Sequence, residues 1–527
     1  MIKEFVEIKN EVINKKNCTL FLVTFIIASL FYSTVMSNNL TNTGDGLWNG
    51  SYYYAQEQEI MSGRWLWYYA DILLQGIKAE PFITLFSLSI FSFSNVLLCE
   101  LLKIEKTWQR IAISLLILLS VPVCCQLSYK HQSYAFALSY LFSITAAFML
   151  IKIKSNFISL LVSTLLLIFT LATYQSEIGC FCLVVIFYLI IDELKNNVEV
   201  REESIILLKA VFAVVIASLI YKIIWDTILR VNNLEINTYR GANQVSIYSI
   251  LVSLPKSIIN SFLYFFNYYL GRFKINIYPF ITKVAFSFSI IINIFYYFYY
   301  LVFKRDFRWL TFFLFLLCPV ACNFSVLYLD AGVEMQQTLP IALFLPLSLF
   351  VSYKNLQKND RKLFEHTKIV MMAICAFVLF GNILQTEIDI ESMREGKLST
   401  DHIINLVCDS LVESDLLDTN RKYYFIGEPY RNSLFNVSEL WTHANEYAQF
   451  GKFGVFGNNA WVIPKAYQAV INNNGIGIKC DYSSNEKYNE IVKMDEFSLM
   501  PCYPNDGSIK IIDDYVIIKI SNSYLED

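Results

Sequence analysis

Histidine is scarce in this chain, four among 527 residues, and no Cys-x-x-Cys accompanies the scattered four. The ligand spacing of a zinc site is therefore absent. No glycine-rich phosphate loop and no dinucleotide fingerprint occurs. Charge is thin as well: Asp, Glu, Lys and Arg make up 17% of the residues and nearly cancel, leaving −3. That removes the basic field on which nucleic-acid binding depends. Neither a fixed-period repeat nor a low-complexity tract is present.

What the chain has in excess is apolar: 55% hydrophobic and 16% aromatic residues, too much for a soluble protein of this length. The composition predicts a polytopic α-helical membrane protein. A spanning helix needs roughly 20 mostly apolar residues. Runs near 18–36, 82–102, 111–127, 135–151, 156–173, 178–191, 205–228, 281–303, 309–327, 339–353 and 369–384 predict about eleven transmembrane helices, with one more apolar stretch around 256–270. The first run follows a long charged lead with no small-residue cleavage site behind it, which reads as an uncleaved first helix. Most of the twelve cysteines lie inside apolar segments as small hydrophobes. Cys408, Cys480 and Cys502 fall in a polar C-terminal region, where Cys480 and Cys502 are candidates for a disulfide.

Lysine and arginine are retained on the cytoplasmic side of short loops. By that rule Lys3, Lys9, Lys15 and Lys16 share a face with Lys103, Lys106 and Arg110, with Lys152 and Lys154, with "KRDFR" at 304–308 and with "KNLQKNDRK" at 354–362. The opposite, extracytoplasmic face then carries the first loop, 38–81, together with "LSYKHQSY" at 127–134, "TYQSE" at 173–177, a longer segment around 229–280 and "DAGVEMQQT" at 330–338. The tail from about 385 lies there too. It changes composition abruptly: Ile403, Ile404, Leu406, Val407 and Leu411 follow a roughly helical period, while "KYYFIGE" and "GSIKIIDDYVIIKI" are β-branched and aromatic. A small α/β C-terminal domain, 385–527, is the expectation beside a membrane domain, 1–384.

The first loop concentrates Asp45, Glu57, Glu59, Arg64 and three tryptophans. Trp48, Trp65, Trp67, Tyr68 and Tyr69 predict anchorage at lipid headgroups. "NGSYYYAQEQEIMSG" is readable as an interfacial helix with Tyr53, Glu57 and Ile60 along one line. At this depth the natural client is a lipid bearing a phosphate-linked head group. A carboxylate can take a proton from an attacking hydroxyl, and a guanidinium can bind the departing phosphate bidentately. The plain alternative is that Asp45 caps a helix and Arg64 snorkels.

An acid in the first outer loop, many helices and an outer C-terminal domain together resemble the C-type (GT-C) glycosyltransferases, which use polyprenyl- or dolichyl-phosphate-linked sugars. "GDG" at 44–46, "SGRW" at 62–65, "TYQSE" at 173–177 and "MPCYPNDGSIKIIDDYVIIKI" at 500–520 are similar to the Gtr type II glucosyltransferases, which decorate O-antigen or related surface polysaccharide with side-branch glucose. The resemblance implies a polytopic enzyme of the bacterial inner membrane. It would transfer a hexose, glucose by the resemblance, from a polyprenyl-phosphate (undecaprenyl phosphate) donor to a lipid-linked glycan acceptor, with inversion. A sugar-lipid synthase and a flippase would act upstream, and no cofactor is demanded. The loop-one acids would make at best a loose divalent-metal site.

The family's first-loop acid falls on Asp45, its Gly-Arg pair on Gly63 and Arg64, and its Tyr-Gln pair on Tyr174 and Gln175. Where two adjacent acids are usual, this chain has Gly44 before Asp45, leaving a second carboxylate to Glu57 or Glu59. An arginine expected near the outer end of a late helix is replaced in "DAGVEMQQT" by Glu334, Gln336 and Gln337.

Lys130 and His131 are further donor-binding candidates, against the reading of an interfacial lysine and a solvated histidine. Glu177, at an outer helix mouth, is costly there unless it faces water or a partner. Arg230, Arg240, Arg272 and Lys274 put positive charge on the outer side, against the usual bias. The rival functions are a transporter or flippase of lipid-linked saccharides and a glycan polymerase. A transporter should show inverted repeats and polar groups at the membrane midplane.

Overall fold

The computed structural model describes residues 2–42, 45–195, 200–238, 246–271, 278–303, 309–328, 333–357, 361–418, 421–435, 438–454, 456, 462–481 and 485–523. Gly44, Arg240, Arg272, Lys274 and the 304–308 cluster lie outside them.

Helices dominate. Among the described residues seven are long and apolar enough to cross a membrane, or nine if each of two bent pairs is one span. One pair, Val6–Val12 with Lys15–Phe31, bends by 47°; the other, Thr107–Leu118 with Val121–Ser128, bends by 48°. Pro122 stands in the first turn of the last of these, where its missing N–H costs nothing. Three shorter apolar helices, Phe280–Phe295, Thr311–Cys322 and Leu339–Asn355, complete the bundle.

The two ends of the bundle differ. At one, Lys152 pairs with Glu11, Arg110 bonds Asn17 and lies 3.3 Å from Glu100, and Lys16 donates to the Glu105 carbonyl at 2.8 Å. The N-terminal segment and the loops around Lys103–Arg110 and Lys152, grouped by their basic residues, thus meet in space. At the other end, Asn42 N donates to Ser128 O at 3.0 Å, Gln175 Nε2 to Ser62 O at 2.8 Å and Gln126 Nε2 to Gln336 O at 2.8 Å. The loops that carry the candidate residues gather here.

The Ile247–Leu270 helix is long and apolar enough to span, yet Asn237 ahead of it and Ser261 and Tyr269 within it all bond this site end. Asn237 N donates to Met61 O in loop one. Tyr269 OH donates to the carbonyl of Ile341, in the first turn of the Leu339–Gln357 helix. The Tyr278–Phe303 helix that follows runs parallel to Leu339–Gln357, with Ser289 against Ser348 and Asn293 against Asn355, so it too starts from the site end. Ile247–Leu270 therefore lies along the end of the bundle, its exposed Leu251, Ile259, Leu263 and Phe266 turned outward.

The compositional break near 385 falls inside one continuous helix, Arg361–Glu413, which carries the chain out of the bundle. Beyond it β1 (Lys422–Ile426), β2 (Lys479–Cys480), β3 (Ile509–Ile512) and β4 (Tyr515–Lys519) form a sheet of order β2-β1-β4-β3. β1 pairs in parallel with β2 and β4, and β3 is antiparallel to β4. The "GSIKIIDDYVIIKI" run is thus a hairpin turning at Asp513, whose φ is +52°. One sheet face packs Tyr423 and Phe425 against Ile403, Ile404, Val407 and Leu411 of the long helix. The other packs Tyr424 and Ile426 against Tyr488, Ile491 and Phe497. The disulfide allowed by the sequence does not form: Cys480 and Cys502 are free thiols.

Candidate active site

Loop one is not the interfacial helix that its spacing suggests. Gly50 turns at φ +61°, Lys78 N donates to Ser51 O at 2.7 Å, Tyr53 N donates to Gly76 O at 2.9 Å, and Tyr52 bridges Ile77. Helix begins only at Glu57 and ends at Met61. Cross-pairing with 76–78 satisfies the backbone of 51–53 better than a short exposed helix would. The hydroxyl of Tyr53 still reaches Glu59, whose other oxygen accepts from Gln56 N at 2.7 Å. Glu59 is held as a cap, while Glu57 is exposed in the same turn.

Beneath this ribbon lies an ion pair of zero exposure, Asp71 with Lys78. Asp71 also accepts from Tyr134 OH and, at 2.6 Å, from Ala55 N, and Lys78 lies 4.6 Å from the centre of the Tyr134 ring. Burial pulls the Lys78 ammonium below its ordinary value, opposed by the bond and charge of Asp71. Trp67, expected at headgroups, is buried, stacked 5.9 Å from His131, which in turn meets Tyr53 edge-on at 5.1 Å. Trp65 is buried too, and Tyr68 and Tyr69 alone of the five face outward substantially. Lys130 is buried and spends its ammonium on Asn39. Both basic residues of the second loop thus build the frame under loop one.

The Gly63–Arg64 pair is fastened from two other elements. Tyr221 OH donates to Gly63 O at 3.0 Å, and Gln175 Nε2 donates to Ser62 O at 2.8 Å and to Tyr221 OH at 3.1 Å. Gly63 has φ +83°, and a Cβ there would collide with the Tyr221 hydroxyl and come within 2.9 Å of Gln175 Nε2. Gly63→Ala is therefore expected to lower transfer at least tenfold by displacing Arg64, a strain of about 1–3 kcal/mol. Wild-type activity in a membrane-transfer assay would refute this. Arg64 itself lies over the Tyr174 ring, 4.9 Å from its centre, and its buried Nε has no hydrogen-bond partner among the described residues.

Asp45 opens the five-residue helix Asp45–Asn49. Gly46 N donates to Asn42 Oδ1 at 3.1 Å, and a Cβ on Gly46 would come within 2.6 Å of the Ser128 carbonyl, so this turn is pressed against the bundle. Arg64, Lys465 and Glu334 all act electrostatically on the Asp45 carboxyl. Surrounding protein raises its pKa, the two cations lower it, and Glu334 raises it. Glu334 accepts from Gln336 Nε2, and Gln336 O accepts from Gln126 Nε2, which also donates to Glu177 Oε1 at 2.9 Å. Glu177, fully buried, thus does not face a wet pocket; it braces Gln126 and the Met335–Gln337 turn behind Glu334. Arg230 lies in the last turn of the Val200–Val231 helix.

Asp45, Arg64, Tyr174, Gln175 and Glu334 converge; Glu57 and Glu59 stand apart in their own turn. Lys465, Asp71 and Lys78 carry no motif and were not anticipated. A lysine and an aspartate seven apart within an aromatic loop were the only trace of the buried pair. Among the described residues no group of three or more His, Cys, Asp or Glu is placed to hold a metal ion. An apolar groove lined by Trp108, Leu116, Phe350 and Tyr353 lies between helices of the bundle and shares no residue with this site.

The bundle, with an acid and an arginine gathered at one end, defines a polytopic helical membrane protein with a polar site at the mouth of its helices. Residues 49–380 match the family model described as glucosyl transferase GtrII, more than half of the chain, and the chain belongs to that family. It is thus a glucosyltransferase acting on surface glycans. No curated protein and no solved structure matches it.

Proposed function

We propose that this chain transfers glucose from a polyprenyl-phosphate carrier to a surface glycan still attached to its own lipid, on the extracytoplasmic face of the bacterial inner membrane. The observation that carries the reading is the convergence of Asp45 and Arg64 at the end of the bundle opposite the basic loops. The positive-inside rule favours the cytoplasm for the basic end. A phosphosugar whose tail stays in the bilayer presents its anomeric carbon at the other.

Asp45 takes the proton of the acceptor hydroxyl as that oxygen attacks the anomeric carbon. The bond from that carbon to the phosphate oxygen breaks, and its electron pair leaves with the phosphate. One displacement inverts the configuration. Arg64 meets the negative charge gathering on the polyprenyl phosphate, with a fork that matches two phosphate oxygens.

Isolated membranes given labelled polyprenyl-phosphate glucose should incorporate label into lipid-linked glycan. Label that only crosses the membrane would identify a transporter, and lengthened chains a polymerase. Arg64→Met is expected to lower kcat about 10²–10³-fold, the usual cost of one lost charge-stabilising donor. Arg64→Lys should recover part of it, lacking the fork. An unchanged kcat for the Met variant would remove Arg64 from this role.

A further inference from the structure

A helix of five residues does not hold itself together in water, so the Asp45–Asn49 turn must be fixed by its surroundings. On one side it is pressed by Gly46 against Ser128 of the bundle. On the other it enters the C-terminal domain. Leu47 is 2% exposed and belongs to the same core as Ile403, Tyr423, Phe425 and Val470, and Trp48 packs at its edge. The helix that covers this turn is Val462–Asn473, and it sets the ammonium of Lys465 4.9 Å from the centre of the Trp48 ring. Asp45, Leu47, Trp48 and Lys465 all fall outside the span matched by the family model.

Two cations therefore act on the Asp45 carboxyl from different parts of the chain. Arg64 comes from loop one and lies over Tyr174 at the mouth of the bundle, the side from which a membrane-held phosphate arrives. Lys465 comes from the sheet domain, beyond the helix ends, where a glycan chain must enter. An ammonium held over an indole face suits a saccharide: the ring fixes the cation in place and its N–H groups donate to sugar hydroxyls.

We infer that the C-terminal domain completes the active site, and that Lys465, seated on Trp48 beside Asp45, binds the acceptor sugar whose hydroxyl Asp45 deprotonates. This rests on Asp45 being the base. The domain is then part of the catalytic machinery. It presents the acceptor and fixes the turn that carries the base.

The test uses the full-length protein in membranes, labelled polyprenyl-phosphate glucose, and lipid-linked glycan extracted from cells lacking this protein as the varied acceptor. Lys465→Met should raise the acceptor KM about tenfold or more, the worth of a hydrogen bond to a charged group, with the donor KM within about twofold. Lys465→Arg should keep most of the acceptor affinity. A raised donor KM would make Lys465 a phosphate ligand and overturn the inference, as would an unchanged acceptor KM. If the Met variant does not accumulate, Lys465→Leu, which also lacks a donor, is read in the same way. The two readings fail separately: no transfer by the parent protein sinks glucosyl transfer itself, whereas transfer by the parent with unaltered variant kinetics sinks only the role of Lys465.

Discussion

Asp45→Asn is expected to slow glucosyl transfer about 10²–10⁴-fold, the contribution of a positioned general base, while the protein inserts and accumulates as before. The substitution keeps shape and removes only proton affinity. Asp45 takes no hydrogen bond from the described side chains that Asn would break, so lost activity with normal accumulation is the diagnostic pair. The pH profile carries the same information. Surrounding protein raises the Asp45 pKa, so the acid limb of kcat/KM should lie above that of an ordinary aspartate. The sign follows from the role: a base works when deprotonated, so activity climbs as pH rises through the raised pKa. Removing Lys465 takes away a cation that lowers this pKa, and the limb should move higher still. Full activity in the Asn variant would leave the proposed mechanism without its base, and an acid limb at the ordinary aspartate position would contradict the environment described for it.

Lys78→Met is expected to be the most destabilising change in loop one. Asp71 and Lys78 have no solvent exposure, so the variant strands a carboxylate that still accepts from Tyr134 and Ala55 N. Breaking a buried pair from one side costs about 3–5 kcal/mol. The ribbon that positions Arg64 should loosen, seen as a lower melting temperature and new protease cleavage between residues 50 and 80. Asp71→Asn with Lys78→Met removes both charges and should recover much of the loss, since a neutral pair owes no such desolvation cost. A single Met variant that melts with the parent and resists protease would show that the pair does not hold this loop.

The places where sequence pattern misled share a cause. Tyr53, Glu57 and Ile60 have helical spacing, but spacing cannot reveal that Ser51 and Tyr53 have backbone partners at Gly76 and Lys78. In one dimension Trp67 looks like an interface residue and His131 like a solvated one, because the ring each stacks on comes from a loop some sixty positions away. By contrast, the segment around 229–280, read from sequence as part of the outer face, does bond the site end through Asn237, Ser261 and Tyr269, although 247–270 is long and apolar enough to span.

Sequence pattern alone determined a bundle of apolar helices whose N-terminal segment and early lysine-bearing loops share one end, followed by a sheet-bearing region, because burial in lipid and the cost of moving charge act on each segment independently of its neighbours. The short motifs also marked Asp45, Gly63, Arg64, Tyr174 and Gln175. Only the tertiary structure decided that Leu47 belongs to the core of the distant domain, that Lys465 lies over Trp48 in the turn that Asp45 opens, and that Lys130, His131 and Glu177 are buried among partners within the frame. Those are pairings between segments far apart in the chain, and the energy of such a contact depends on both partners at once.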